Sequence, residues 1–174
     1  MNHDAYPDAY IRSILADVKS IALVGVTDSS VRASNIVARY LLGKGYRVYP
    51  INPNLAGKEL FGRTVLARLS DVPEPIDMVD IFRRTNAIAG VVDEALSLEP
   101  RPKVIWMQLG LRDDAVAAKA EAAGLRVVMN RCPKLEYGRL AGENQWAGLN
   151  SRVVTNRKPV LAPGHQHLSL TAKQ

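Results

Sequence analysis

At 174 residues, with 47% apolar and 23% charged side chains and a net charge of +6, the chain has the size and make-up of one domain with a buried core. Composition excludes a disordered polyelectrolyte, and no apolar run approaches the roughly 20 residues of a bilayer-spanning helix. The excess Lys and Arg are scattered, several of them in the last quarter, with no basic run interleaved with aromatics; this points to a solvated surface, with no nucleic-acid or membrane partner. The opening Met1-Asn2-His3-Asp4-Ala5-Tyr6-Pro7 lacks the basic-then-apolar order of an export signal, and the single cysteine, Cys132, fits a reducing compartment, so a cytoplasmic protein is expected.

In chain order, Ile11, Ile14, Leu15 and Val18 fall at helical spacing and predict an opening helix over 8–18. The run Ile21-Ala22-Leu23-Val24-Gly25-Val26 has strand length and no polar face, as a parallel strand buried on both sides requires. A polar loop leads to a second helix over 34–44, with Ile36, Val37, Tyr40 and Leu41 inward and Gly45 as its stop. The second strand, 47–51, ends at the turn signal Asn52-Pro53-Asn54, and a breaker-rich connection covers 57–75. A third strand is predicted at 77–82, then a helix from a Thr85 cap to about Leu98. A fourth strand at 104–107, an Ala-rich helix from Asp113 or Asp114 to Gly124, and a fifth strand at 126–129 follow. Repeated strand–helix units predict a Rossmann-like, doubly wound parallel α/β sheet in a single domain. Right-handed crossovers make 3-2-1-4-5 the simplest order of its five main strands. The domain is expected over 1–145, with 146–174, which contains Ala162-Pro163-Gly164-His165-Gln166-His167, as an extended or flexible C-terminal extension.

Ligands of an open parallel sheet bind beyond the carboxyl ends of the strands, where the strand order reverses. The segments 25–34, 50–54, 82–85, 108–110 and 130–132 all end there. In the first, Gly25 permits close backbone approach, Val26, Thr27 and Asp28 follow, and Ser29, Ser30 and Ser34 add hydroxyls beside a helix N-terminus. Free N–H groups at such a terminus attract phosphate, and Arg32, which gains nothing from the helix dipole there, is placed to pair a pyrophosphate. The alternative is that these polar residues cap a helix and solvate a loop. The loop is neither G-x-G-x-x-G nor the Walker sequence. A dinucleotide site also carries an acid at the end of the second strand to hold the ribose hydroxyls. Here Pro50-Ile51-Asn52-Pro53 offers none, whereas a ribose bearing a phosphate would be served by Lys58 or Arg63.

Gly25-Val26-Thr27 with Arg32, Gly45-Tyr46-Arg47-Val48-Tyr49-Pro50-Ile51-Asn52-Pro53, Asp77-Met78-Val79-Asp80-Ile81-Phe82-Arg83, Trp106-Met107-Gln108-Leu109-Gly110 and Asn130-Arg131-Cys132 together resemble the CoA-binding family. Its members are small stand-alone relatives of the N-terminal domain of the succinyl-CoA synthetase alpha subunit. The resemblance covers about residues 8–140 and rests on five motifs in one order. It implies a Rossmann-like domain that binds coenzyme A or an acyl-CoA. It implies that the first loop takes the pyrophosphate and that Pro50, Asn52 and Pro53 border the adenosine. Phe82, Arg83, Gln108 and Gly110 would line the pantetheine path, with Asn130 and Cys132 on the same side.

The synthetase parent also needs a phosphorylated histidine in a second domain and a nucleotide-grasping subunit. The histidines here, His3, His165 and His167, lie near the termini, so ligase activity by the chain alone is not expected. The expected function is non-catalytic binding of CoA or an acyl-CoA, as a sensor or accessory module. Two other readings stay open: an NAD(P)-binding redox protein or small oxidoreductase, and a CoA-binding subunit of a larger acyl-CoA enzyme. A homodimer or a partner enzyme subunit is compatible with the sequence.

Cys132 has two readings. Arg131 and Lys134 would lower its pKa and favour a reversible mixed disulfide with the CoA thiol; otherwise it is a small buried apolar residue. Asp77 and Asp80, three apart on one strand, point to opposite faces and so form no acid/base pair. Trp106 is read as core packing, and His165 with His167 as part of a tail rather than a metal pair.

Overall fold

The computed structural model describes residues 1–143. Helix α1 (Asp8–Asp17) buries Ile11, Ile14 and Leu15 on one side, and β1 (Ser20–Val24) is buried at every position. Then come α2 (Ala33–Gly43), β2 (Arg47–Ile51), a short antiparallel hairpin of β3 (Glu59–Leu60) and β4 (Arg63–Thr64), and β5 (Met78–Ile81). The chain continues through α3 (Ile88–Leu96), β6 (Val104–Met107), α4 (Asp114–Ala122), β7 (Arg126–Val128) and α5 (Pro133–Leu140). Five parallel strands form the main sheet in the order β2-β1-β5-β6-β7.

The expected class, a single α/β domain on a five-stranded parallel sheet, is what the chain adopts. Counted along the main strands its order is 2-1-3-4-5, where the sequence alone suggested 3-2-1-4-5. The connection from β2 to β5 explains the difference. It contains no α-helix; after the β3–β4 hairpin it returns along the outer side of β2. Leu66 N–H donates to the Pro50 carbonyl and Asn52 N–H to the Leu66 carbonyl, both at 2.9 Å. The place beside β2 is filled by that bridge. The third main strand therefore crosses over and pairs with the free side of β1, in the register Ile21 to Met78. Strand order now reverses between β1 and β5, which is where this topology holds its ligands.

Helices α1, α2 and α5 cover one face, over Ile21, Leu23, Met78, Val104, Trp106 and Val128. Helices α3 and α4 cover the other, over Ala22, Val24, Val79, Ile81, Ile105, Met107 and Val127. Two covered faces account for the unbroken apolar runs, because alternate residues enter alternate cores. Trp106 is core, as expected, and its indole N–H donates to the Arg131 carbonyl at 2.8 Å. At the outer side of β7, the Tyr10 hydroxyl donates to the Val127 carbonyl (3.2 Å) and the Tyr6 hydroxyl accepts from Met129 N–H (2.7 Å).

Three local expectations change. Ile36 is exposed, because the inward face of α2 is turned to bury Ser34, Asn35, Val37, Ala38 and Leu41. Thr85 opens a 3-10 turn (Thr85–Ala87), and α3 starts after it without a side-chain cap. Helix α5 was not anticipated. Pro133 stands at its first position, where a fixed φ suits a helix start. Its inward face carries Glu136, bound by Arg139 Nη2 at 2.7 Å, so no apolar periodicity betrays it. The expected C-terminal extension, with His165 and His167, lies outside the described residues.

Candidate functional site

The site begins at Gly25, where β1 ends with φ of +95°. A Cβ there would lie 2.8 Å from the Phe82 carbonyl oxygen and 2.9 Å from Arg83 Cδ. Only a residue without a side chain lets the first and third main strands close to this distance. Gly25 N–H donates to the Ile51 carbonyl (2.9 Å) and Phe82 N–H to the Val24 carbonyl (2.8 Å), so three strand ends are drawn together. Two amide side chains then fix the first loop. Asn52 Nδ2 donates to the Val26 carbonyl at 2.7 Å, and Asn35 Nδ2 to the Thr27 carbonyl at 2.6 Å.

These segments line a cleft of about 540 Å³. Six of the expected residues meet in it: Gly25, Val26, Thr27, Asn52, Phe82 and Arg83. Arg84, Asn86 and Ala87 complete it and were not singled out from sequence, although the Arg83-Arg84 doublet at a strand end was a visible signal.

The electrostatics favour an anion. Helix α2 has no acid in its first turn, and Arg32 at its N-cap makes no side-chain cap. Ser34 Oγ, in that first turn, is buried and has no hydrogen-bond partner among the described residues. Buried hydroxyls are rarely left so. Arg32, Arg83 and Arg84 are exposed and enter none of the ion pairs among the described residues. The residues lining the cleft include no carboxylate, imidazole or thiol.

The other expected residues lie outside this lining. Lys58 pairs with Asp28 at 3.3 Å, both exposed, so its charge is partly answered already. The Arg63 guanidinium lies over the Tyr49 ring, 5.2 Å from its centre. Pro50 is buried within β2, and Pro53 opens the turn after Asn52. Gly110 N–H donates to Asn130 Oδ1 (2.8 Å), with φ of 82° and 52° at the two residues, so this pair holds the β6 and β7 ends together. Gln108 is buried and bonded to Asp80.

Of its two readings, Cys132 takes the buried one. It is the buried residue before α5, where Lys134 and the backbone N–H groups of Lys134 and Leu135 favour the thiolate. Desolvation outweighs them and, with the Asp80 charge adding to it, pushes the thiol up to about 11. The structure thus has the small buried residue rather than an activated thiol. Asp77 and Asp80 are separated, as expected: Asp77 accepts from Lys19 and Ser20 N–H groups and pairs with Lys103, while Asp80 is in the core.

A second cleft, about 460 Å³, lies at the opposite end of the sheet, near Arg12, Lys19, Tyr46 and Tyr137. It is remote from the carboxyl strand ends, where the topology places ligands.

Cleft, helix start and strand reversal define a doubly wound α/β protein of the class that holds its ligands beyond the carboxyl ends of the strands. More narrowly, the chain belongs to the CoA binding domain family, whose model matches residues 19–138. The resemblance seen in the five strand-end motifs is borne out. The chain is similar to the uncharacterized protein YneT of Bacillus subtilis, with 33% identity over 129 residues, covering 74% of this chain and 93% of that protein. A solved structure from Thermus thermophilus shares 38% identity at a TM-score of 0.73, covering 78% of this chain and 99% of that one. A hypothetical protein from Pyrococcus horikoshii shares 39% identity at a TM-score of 0.74, over 80% and 95% of the two chains. The dinucleotide-forming acetyl-coenzyme A synthetase 1 of Ca. Korarchaeum cryptofilum aligns at 26% identity and a TM-score of 0.56, covering 64% of this chain and 26% of its own. No helix of the described residues is long and apolar enough to cross a membrane.

Proposed function

We propose that the protein binds coenzyme A or an acyl-CoA in the cleft beyond β1, β2 and β5, as a cytoplasmic binding module without catalysis of its own. One observation carries this reading: among the described residues, a cationic, acid-free cleft lies beside a helix start whose buried Ser34 hydroxyl lacks a partner. A ligand with several phosphates supplies what that arrangement lacks. The diphosphate takes the Gly25 turn and the start of α2, with Arg32, Arg83 and Arg84 around it. Asn52 and Pro53 border the adenosine, and the pantetheine arm runs past Phe82 toward Gln108 and Gly110.

A nicotinamide dinucleotide fits less well. The residue after β2 is Asn52, whose amide is already committed to the Val26 carbonyl and to Asn54 N–H. A ribose diol finds no carboxylate there. Binding without turnover is supported by a cleft lining that includes no carboxylate, imidazole or thiol to serve as a general base or to activate the Thr27 hydroxyl. Similarity to the synthetase supports a second reading, in which the chain presents CoA to a larger acyl-CoA enzyme; a copurifying ligase would favour it. Calorimetry with CoA, acetyl-CoA, NAD and NADP in parallel tests the main reading. CoA or its acyl ester should bind best, and tight NAD binding with no CoA binding overturns the proposal.

A further inference from the structure

Asp80 stands in the middle of the sheet with no exposed surface. Its register partners are Leu23 on β1 and Trp106 on β6, neither of them titratable. Helices α1, α2 and α5 pack on this face. The buried residues of α1 and α2 carry no ionisable group. From the start of α5, the Cys132 thiol interacts with the Asp80 charge. The buried Glu136 of α5 is answered by Arg139 at 2.7 Å and Arg131 at 3.5 Å. None of the ion pairs among the described residues includes Asp80. Burial therefore pushes its pKa up, to about 8.

The partner Asp80 does have is Gln108. Gln108 Nε2 donates to both carboxyl oxygens, at 2.9 and 3.1 Å. Gln108 follows β6 directly, and its backbone N–H donates to the Ile81 carbonyl (3.4 Å), one residue before Phe82 of the cleft. Among the described residues nothing donates to Gln108 Oε1.

We propose that Asp80 is a proton-linked positioning residue: its ionisation sets which end of the Gln108 side-chain amide is offered to the ligand, and a ligand amide N–H seated on Gln108 Oε1 displaces the Asp80 proton. The proposal rests on the coenzyme A reading, since the pantetheine arm carries two amides. When Asp80 is ionised, both its oxygens accept from Nε2 and Oε1 is left to accept from the ligand. When Asp80 is neutral, its O–H donates to Oε1, one Nε2–H donates back to the carboxyl C=O, and the amide turns its remaining N–H outward. Only in the first arrangement does a ligand N–H find Oε1 free of another donor, so it pairs best there. It selects the ionised form, and the proton passes to the buffer.

Calorimetry of CoA binding in buffers of different ionisation enthalpy counts the protons exchanged. Near pH 7 the wild type should release up to about one proton per CoA more than Asp80→Asn, because the ligand's own ionisations are common to both. In the variant the Asn amide donates to Oε1 permanently, so CoA affinity should fall about tenfold. Gln108→Met, which removes the amide, should also abolish the extra proton. Equal proton release by wild type and both variants overturns the proposal, as does proton uptake confined to the wild type. In the ligand-free protein, the Gln108 side-chain amide resonance should titrate near pH 8 in the wild type and stay flat in Asp80→Asn; a flat wild-type response overturns the proposal without any ligand. A wild type that binds no CoA at any pH defeats the proposed function instead, and the amide titration still decides the role of Asp80.

Discussion

At Gly25 the missing Cβ lets the end of β1 press against the Phe82 carbonyl and the Arg83 side chain. Gly25→Ala asks an L-residue to hold φ of +95° against a backbone oxygen. The dihedral alone costs about 1–2 kcal/mol. Chemical denaturation should show at least that loss, and CoA binding should weaken with it. Arg83→Ala removes a free guanidinium from the cleft; CoA affinity should drop by about 1.5–3 kcal/mol, and an unchanged Kd in the folded variant would take Arg83 out of the site. Asp80 gives a pH signature. The unfolded carboxyl loses its proton near 3.9, while the folded one keeps it to about 8. Between these values the unfolded state binds fewer protons, so stability falls as pH rises, by up to about 1.4 kcal/mol per unit, and levels off above the folded value. Asp80→Asn escapes this, so its stability relative to the wild type should climb from about pH 4 to about pH 8; parallel curves would refute the raised pKa. Gly25 and Arg32 were legible in the sequence because each breaks a local pattern, and Arg83 came from the family resemblance. The pairing of Asp80 with Gln108 was not legible, because the two lie 28 residues apart and meet only once β5 and β6 pair.

Among the elements, α2 shows the tension between stability and binding. Its N-cap position has extended dihedrals, φ −75° and ψ 147°, that an aspartate would suit, yet it holds Arg32. Arg32→Asp supplies a capping carboxylate and a favourable charge at the dipole. It should raise stability by about 1 kcal/mol in thermal or denaturant unfolding while sharply weakening CoA binding, because in the proposed site the same N–H groups receive the ligand's phosphates. Gain in stability with undiminished binding would move the phosphate site elsewhere. Helix α4 shows the ordinary alternative, with Asp113 Oδ1 accepting from Val116 N–H at 3.1 Å. That cap and the apolar strands were readable from local chemistry. Helix α5 was not, since its inward Glu136 depends on the partners Arg139 and Arg131 rather than on apolar spacing.

At the scale of the whole molecule, the class followed from strand runs buried on both faces, but the strand order did not. It turns on where Leu66 comes to rest beside Pro50 and Asn52, a contact no periodicity encodes. If one cleft serves one ligand, CoA at about a hundred times its Kd should stabilise the fold by about 2.7 kcal/mol, and a thermal shift absent with CoA but present with NADP would reverse the ligand assignment. The Leu66 bridge has a companion at the far side, where Tyr10 and Tyr6 hydroxyls engage Val127 and Met129. Both margins of the sheet thus meet side-chain or backbone partners from the same chain. An open margin is a template on which another polypeptide can add a strand, the route to runaway association. Among the described residues that template is shortened on both margins, so growth into a continuous sheet is disfavoured.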